Sequence, residues 1–256
     1  MEPAELELLT DTLRRTMNSA TGAELDSALT ELGWPELLAE APDIAIPLVF
    51  RLFGETGAHA PLLNDVVSGS PSGTVPLPFA GGTWIIWDRT DLTSDTIDPG
   101  LPLRLVATGS DVPLAAGRRA LGWWLAGASR AMLTLARTHA LQRTQFGRPI
   151  VAFQAVRHKL AETLVAIEGA EATLAAATDE LGSLLAKAAA GQAARTAARH
   201  CQQVLGGIGF TTEHDLHRHI RRVLILDSLL GSARELTREA GVLLRAEGRA
   251  PRLVQL

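Results

Sequence analysis

Apolar positions recur at helical spacing along most of the chain. Leu6, Leu9 and Leu13 form one stripe, which predicts a helix over residues 4–17. A second helix is expected over 26–32, stopped by Gly33-Trp34-Pro35, and a third over 43–53, with Gly54 as its C-terminal stop. Residues 61–65 extend this region. Past residue 113 the pattern is helical almost without interruption, over 114–142, 153–177, 184–205, 216–230 and 232–245. Gly147-Arg148-Pro149 breaks the first of these helices from the second, and Gly206-Gly207-Ile208-Gly209 ends the third. Long helices with short connections make an antiparallel bundle. Between the two helical regions the pattern changes. Residues 68–78 are punctuated by Gly, Ser and Pro and read as a linker, while 82–88 and 101–108 read as strands, too few for an independent sandwich. The expected organisation is a helical region over 1–67, a small β segment over 68–112 and a helical bundle over 113–256.

Composition narrows the class. At 256 residues, 46% hydrophobic and 20% charged, the chain is globular, with one or two domains. A net charge of −4 argues against nucleic acid or an anionic lipid surface as partner. No apolar run reaches the ~18 residues of a membrane span, and the acidic start carries no signal-peptide pattern, so a cytoplasmic chain is expected. Cys201 is the single cysteine, which excludes an internal disulfide and a multi-cysteine zinc site. His214, His217 and His219 form no metal-ligand pattern, and no metal is expected. Seventeen of the 40 alanines fall within 151–200, which suits closely packed helices. The 22 arginines against two lysines, Lys159 and Lys187, fit the codon bias of a GC-rich genome.

Two constellations could carry chemistry. Between two helices stands Arg143-Thr144-Gln145-Phe146-Gly147-Arg148-Pro149-Ile150, followed by Phe153-Gln154. Its guanidinium groups suit phosphate oxygens and its ring can stack, although an ordinary charged loop would read similarly. The second runs from Gln202 to Phe210, where three glycines at a helix end would let a ligand approach backbone N–H groups. A glycine C-cap needs only one of them.

Taken together, R-x-Q-F-G-R-P-I-x-x-F-Q-A-V, an Ala-rich helix and Q-x-L-G-G-x-G-F-T-T-E-H-x-L-x-R resemble the C-terminal helical domain of acyl-CoA dehydrogenases, over about 112–244. Weaker similarity upstream covers fragments of the family's N-terminal helices and the last part of its β domain, much of which is missing. The resemblance implies a mainly α fold: an acyl-CoA dehydrogenase-like bundle with a reduced N-terminal helical region and a vestigial β segment. It implies FAD bound across a subunit interface. Arg143 matches the arginine that grips the pyrophosphate, Gln145 and Phe146 match flanking contacts, and Gln203 with Gly207 matches the contact near the adenosine end.

The family's general base is a Glu in one of two places. The commoner place corresponds to Leu230 here, and the other, 26 residues before the FAD arginine, corresponds to Gly117. Neither can take a proton, so no catalytic base is assigned. Arg118 matches an arginine near the family's active site, with a surface arginine at a helix N-terminus as the alternative. Arg221-Arg222 replaces the family's Arg-Asp pair. Glu213, Asp215, Asp227 and Glu235 read as helix-face or capping charges, with Asp227 the one candidate for a relocated base. The reading that follows is a shortened subunit, inactive alone, of a heteromeric (α2β2) enzyme like those of bacterial steroid degradation. A full-length partner would supply the Glu and most of the acyl-CoA pocket. A non-catalytic module without flavin, and a self-sufficient enzyme, are the alternatives.

Overall fold

The computed structural model describes residues 2–71, 73–90 and 97–248. Five helices open the chain: α1 (Pro3–Ser19), α2 (Gly22–Glu31), α3 (Trp34–Glu40), α4 (Pro42–Thr56) and α5 (Leu63–Ser68). Helix α2 ends before Gly33, as expected, and Trp34-Pro35 then starts a further helix, α3, because Pro in a first turn loses no helical hydrogen bond. One expectation needs correction here. Gly54 does not stop α4. It lies inside the helix, and the stop is Gly57, in left-handed conformation at φ 76°.

The β segment holds three antiparallel strands in the order β1 (Pro76–Phe79), β2 (Thr83–Trp87) and β3 (Leu103–Val106). Strand β1 lies in the stretch expected to be a linker. Its prolines are tolerated at a sheet edge, where Phe79 bridges to Leu229. Trp87 and Trp84 alternate across β2: Trp87 is buried and stacks on Trp124, with centroids 5.6 Å apart.

The rest is the bundle: α6 (Ala115–Gln142), α7 (Gln154–Ala176), α8 (Glu180–Leu205), α9 (Leu216–Ser228) and α10 (Ala233–Glu247). A two-stranded hairpin, β4 (Thr144–Gln145) and β5 (Arg148–Pro149), joins α6 to α7, and a 3-10 turn, Gly206–Phe210, follows α8. Helix α8 starts earlier than expected because Asp179 caps it, accepting from Gly182 N at 2.6 Å. A Ser232/Glu235 capping box starts α10, and Glu235 also accepts from Gly81 N at 3.0 Å, tying the β1–β2 turn to the bundle.

One apolar core runs from Leu13 and Met17 through Phe50, Phe53 and Trp124 to Leu226 and Leu230. Its aromatic centre is Phe50, Phe53, Trp87 and Trp124. Among the described residues, no helix is long and apolar enough to cross a membrane.

Candidate functional site

Chain direction places the two motifs together. Helix α7 runs back along α6 and α8 runs back along α7, so the C-terminal ends of α6 and α8 share one end of the bundle. That end carries both the 144–149 hairpin and the Gly206–Phe210 turn. Burial, with His214 and Arg143 nearby, holds the His139 imidazole below its ordinary pKa, which ties the end of α6 to the start of α9.

The hairpin turns on two residues, Phe146 and Gly147, at φ 54° and 77°. Positive φ at both positions makes a tight turn whose twist matches paired strands. Phe146 is 91% exposed, edge-on to Phe153 at 6.0 Å, and the Arg148 guanidinium lies 4.4 Å from the Phe153 centroid. Arg143, Gln145 and Arg148 are exposed. Gln203 and Gly207 are exposed as well, and a Cβ on Gly207 would meet nothing within 4 Å. This end therefore offers guanidinium donors, amide groups, an open ring and bare backbone, a donor set that fits a dinucleotide pyrophosphate.

The opposite end is closed. A Cβ on Gly117 would lie 2.6 Å from Val67 Cγ2 and 2.8 Å from Leu230 Cδ1. The two positions where a base could stand thus face each other, and both are buried. Leu230 is left-handed at φ 57°. Its N–H donates to Pro78 O at 2.8 Å, and its carbonyl accepts from Arg118 Nε at 3.4 Å.

Arg118 is buried, so the surface alternative does not hold. It pairs with Glu180 and, at 3.5 Å, with Glu239, which joins the N-terminal end of α6 to α8 and α10. It also borders an open polar recess with Asp111 and Pro113. Asp227 is buried rather than solvated: its Oδ1 accepts from Ala233 N at 3.2 Å, and a Cβ on Gly191 would meet that oxygen at 2.2 Å.

Some participants had no signal in the sequence. Lys187 is fully buried and donates to Asp227 O at 3.0 Å and Gly231 O at 2.6 Å, clamping the 229–232 turn. Burial pushes its pKa down to about 7. Asp98, distant in the chain, pairs with Arg222. The Arg221-Arg222 departure was the one available hint of that pairing.

Residues 110–239 match the acyl-CoA dehydrogenase C-terminal domain. The chain belongs to the acyl-CoA dehydrogenase family. It is 35% identical over 218 residues to the acyl-CoA dehydrogenase FadE34 of Mycobacterium tuberculosis, covering 75% of this chain and 30% of that protein. The chain thus spans less than a third of this relative's length. Among solved structures, a variant of the Tcur3481–Tcur3483 steroid ACAD aligns with a TM-score of 0.73 at 19% identity, over 96% of this chain and 98% of that one. The ChsE4–ChsE5 complex of Mycobacterium tuberculosis aligns with a TM-score of 0.68 at 17% identity, over 98% and 99%. These likenesses establish an acyl-CoA dehydrogenase fold. With the β segment reduced to three short strands among the described residues, the chain is mainly α, and the family's C-terminal bundle dominates it.

Proposed function

We propose that this chain is a subunit of a heteromeric, FAD-dependent acyl-CoA dehydrogenase that desaturates an acyl-CoA. Its partner is a full-length acyl-CoA dehydrogenase subunit, assembled with it as α2β2, which carries the catalytic Glu and most of the acyl-CoA pocket. FAD, when bound, supplies the acceptor for the substrate hydride. This chain's part is to hold that cofactor from outside. Arg143 would grip the pyrophosphate, Gln145 and Phe146 would make the flanking contacts, and Gln203 with the open backbone at Gly207 would contact the adenosine end.

The observation that carries this reading is the closed contact of Gly117 with Leu230. Neither base position holds a carboxylate, and a side chain at Gly117 would run into Val67 and Leu230. Distance supports the arrangement in trans. From Gly117 to Arg143 is 26 residues of nearly continuous helix, about 39 Å at ~1.5 Å per residue. That exceeds an extended dinucleotide, so a cofactor gripped by Arg143 has its redox ring away from this chain's own base positions. The wedged Asp227 speaks against a self-sufficient enzyme. The heteromeric solved structures favour a two-subunit assembly, and the steroid ACAD among them favours a steroid-derived acyl group.

The test is purification of the chain alone and together with its partner, with flavin absorbance and acyl-CoA oxidation measured on both. Colour and activity are expected only in the complex, and Arg143→Ala should lower its retained flavin roughly tenfold, the loss of a charge-assisted contact. A complex of Arg143→Ala with full flavin content would reject the role given to the hairpin. A colourless, inactive complex would leave a scaffold that binds no flavin.

A further inference from the structure

Lys187 has no part in the flavin grip, yet its side chain lies fully buried against the turn that joins α9 to α10. Its Nζ donates to Asp227 O at 3.0 Å and to Gly231 O at 2.6 Å, and to no other acceptor among the described residues. We propose that Lys187 is a proton-operated latch on this turn: the neutral amine holds it closed, and protonation favours a locally open form.

Donor counting decides which form fits. An amine has two N–H groups and an ammonium has three. Two carbonyls accept here, so the amine is fully used as a donor. The ammonium keeps one N–H unpaired and its charge out of water, an arrangement that is costly unless the charge is paired. The carboxylates facing Lys187 are engaged elsewhere. Asp227, on α9, accepts from Ala233 N at 3.2 Å and lies 4.0 Å from Arg195, on α8. Glu235, on α10, accepts from Gly81 N, Ser232 N and Ser232 Oγ. Arg118, on α6, adds a like charge, itself paired with Glu180 and Glu239. Burial is the strongest influence, and it brings Lys187 down from an ordinary value of 10.5 to about 7.

The latch holds a corner where three elements meet. Strand β1 joins the turn through Leu230 N to Pro78 O and Ala80 N to Ser228 O, both at 2.8 Å. Helix α10 starts directly after it, with Ala233 N on Asp227. An opening that lets an ammonium reach water therefore loosens β1 and the first turn of α10 together. In the open form the lysine regains its ordinary proton affinity. That form binds more protons between pH 7 and 10.5, so opening grows as pH falls across this window.

None of these contacts involves the hairpin or the 206–210 turn, so the latch stands or falls apart from the flavin assignment. The test is an NMR titration of the full chain carrying carbon-13 at lysine Cε. Two lysines give two signals, and Lys187→Met identifies its own by loss. Should that variant fail to fold, Lys159→Arg identifies the signal by elimination. The Lys187 signal is expected to titrate near pH 7. Amide hydrogen exchange at Ala80 and Leu230 reads the latch itself: protection should fall roughly tenfold from pH 8.5 to 6.5, and folded Lys187→Met should lose this dependence. A Lys187 signal that titrates close to 10.5 would overturn the proposal. So would protection at these amides that does not change with pH, or a pH dependence that Lys187→Met retains.

Discussion

Leu230 is a bulky residue in the left-handed region, a conformation that costs roughly 1–3 kcal/mol and persists only where its surroundings fix it. Here they do: β1 takes its N–H, Arg118 takes its carbonyl, and its side chain fills the space that Gly117 leaves open. Gly117→Ala should therefore destabilise the chain by about 1–3 kcal/mol, the usual range for overpacking. In a Leu230→Ala background the same substitution should cost less, because one of its two obstacles is gone while Val67 remains. Urea denaturation of the four proteins checks this, and additive effects would contradict it. At this scale the sequence was partly legible. Counting from Arg143 and from the Gly231-Ser232 pair finds both positions. Their contact is not visible in any spacing, and neither is the burial of Arg118, whose partners Glu180 and Glu239 come from distant helices.

Helix α4 crosses α6 at very close range, and two glycines make that possible. A Cβ on Gly54 would stand 2.3 Å from both Trp124 O and Ala128 N, and one on Gly127 would stand 2.1 Å from Arg51 O. These obstacles are backbone, which cannot swing aside. Gly54→Ala should thus cost on the order of 3 kcal/mol, at or beyond the usual overpacking range. Gly169→Ala, on an exposed face of α7 with nothing within 4 Å, should stabilise by about 0.5–1 kcal/mol. Melting temperatures of the two variants should move in opposite directions. The same glycine shows why elements were only partly legible. Gly54 reads as a helix stop locally, and only the neighbouring helix explains its place inside one. The long amphipathic helices were legible because burial of one face dictates their period. Helix α3 and strand β1 were not, because Trp34-Pro35 and the prolines of β1 carry breaker signals that position within an element overrides.

Across the whole molecule, buried basic groups set the response to pH. His219 titrates near 4 in the fold, against an ordinary value of 6.5. Between those values the unfolded chain binds more protons, so stability is fully present above pH 6.5 and is lost as pH falls toward 4. The loss from this group is on the order of 3 kcal/mol, and His219→Gln should flatten it when unfolding is followed between pH 7 and 4. The overall architecture was legible as an opening helical region, a small β segment and a helical bundle, since periodicity and motif spacing both survive in one dimension. A cavity under α9 was not, because its lining comes from stretches far apart in the chain, around Phe53, Asp98, Trp124 and Arg222. The plug at Gly117 and Leu230 also bears on what lineages of this chain can do. A carboxylate at Gly117 finds no volume while Val67 and Leu230 keep their places. Installing one there therefore requires coordinated substitutions, and the first of them alone passes through a less stable protein. The packing acts as a ratchet: a position closed by its neighbours is reopened by mutation only with difficulty.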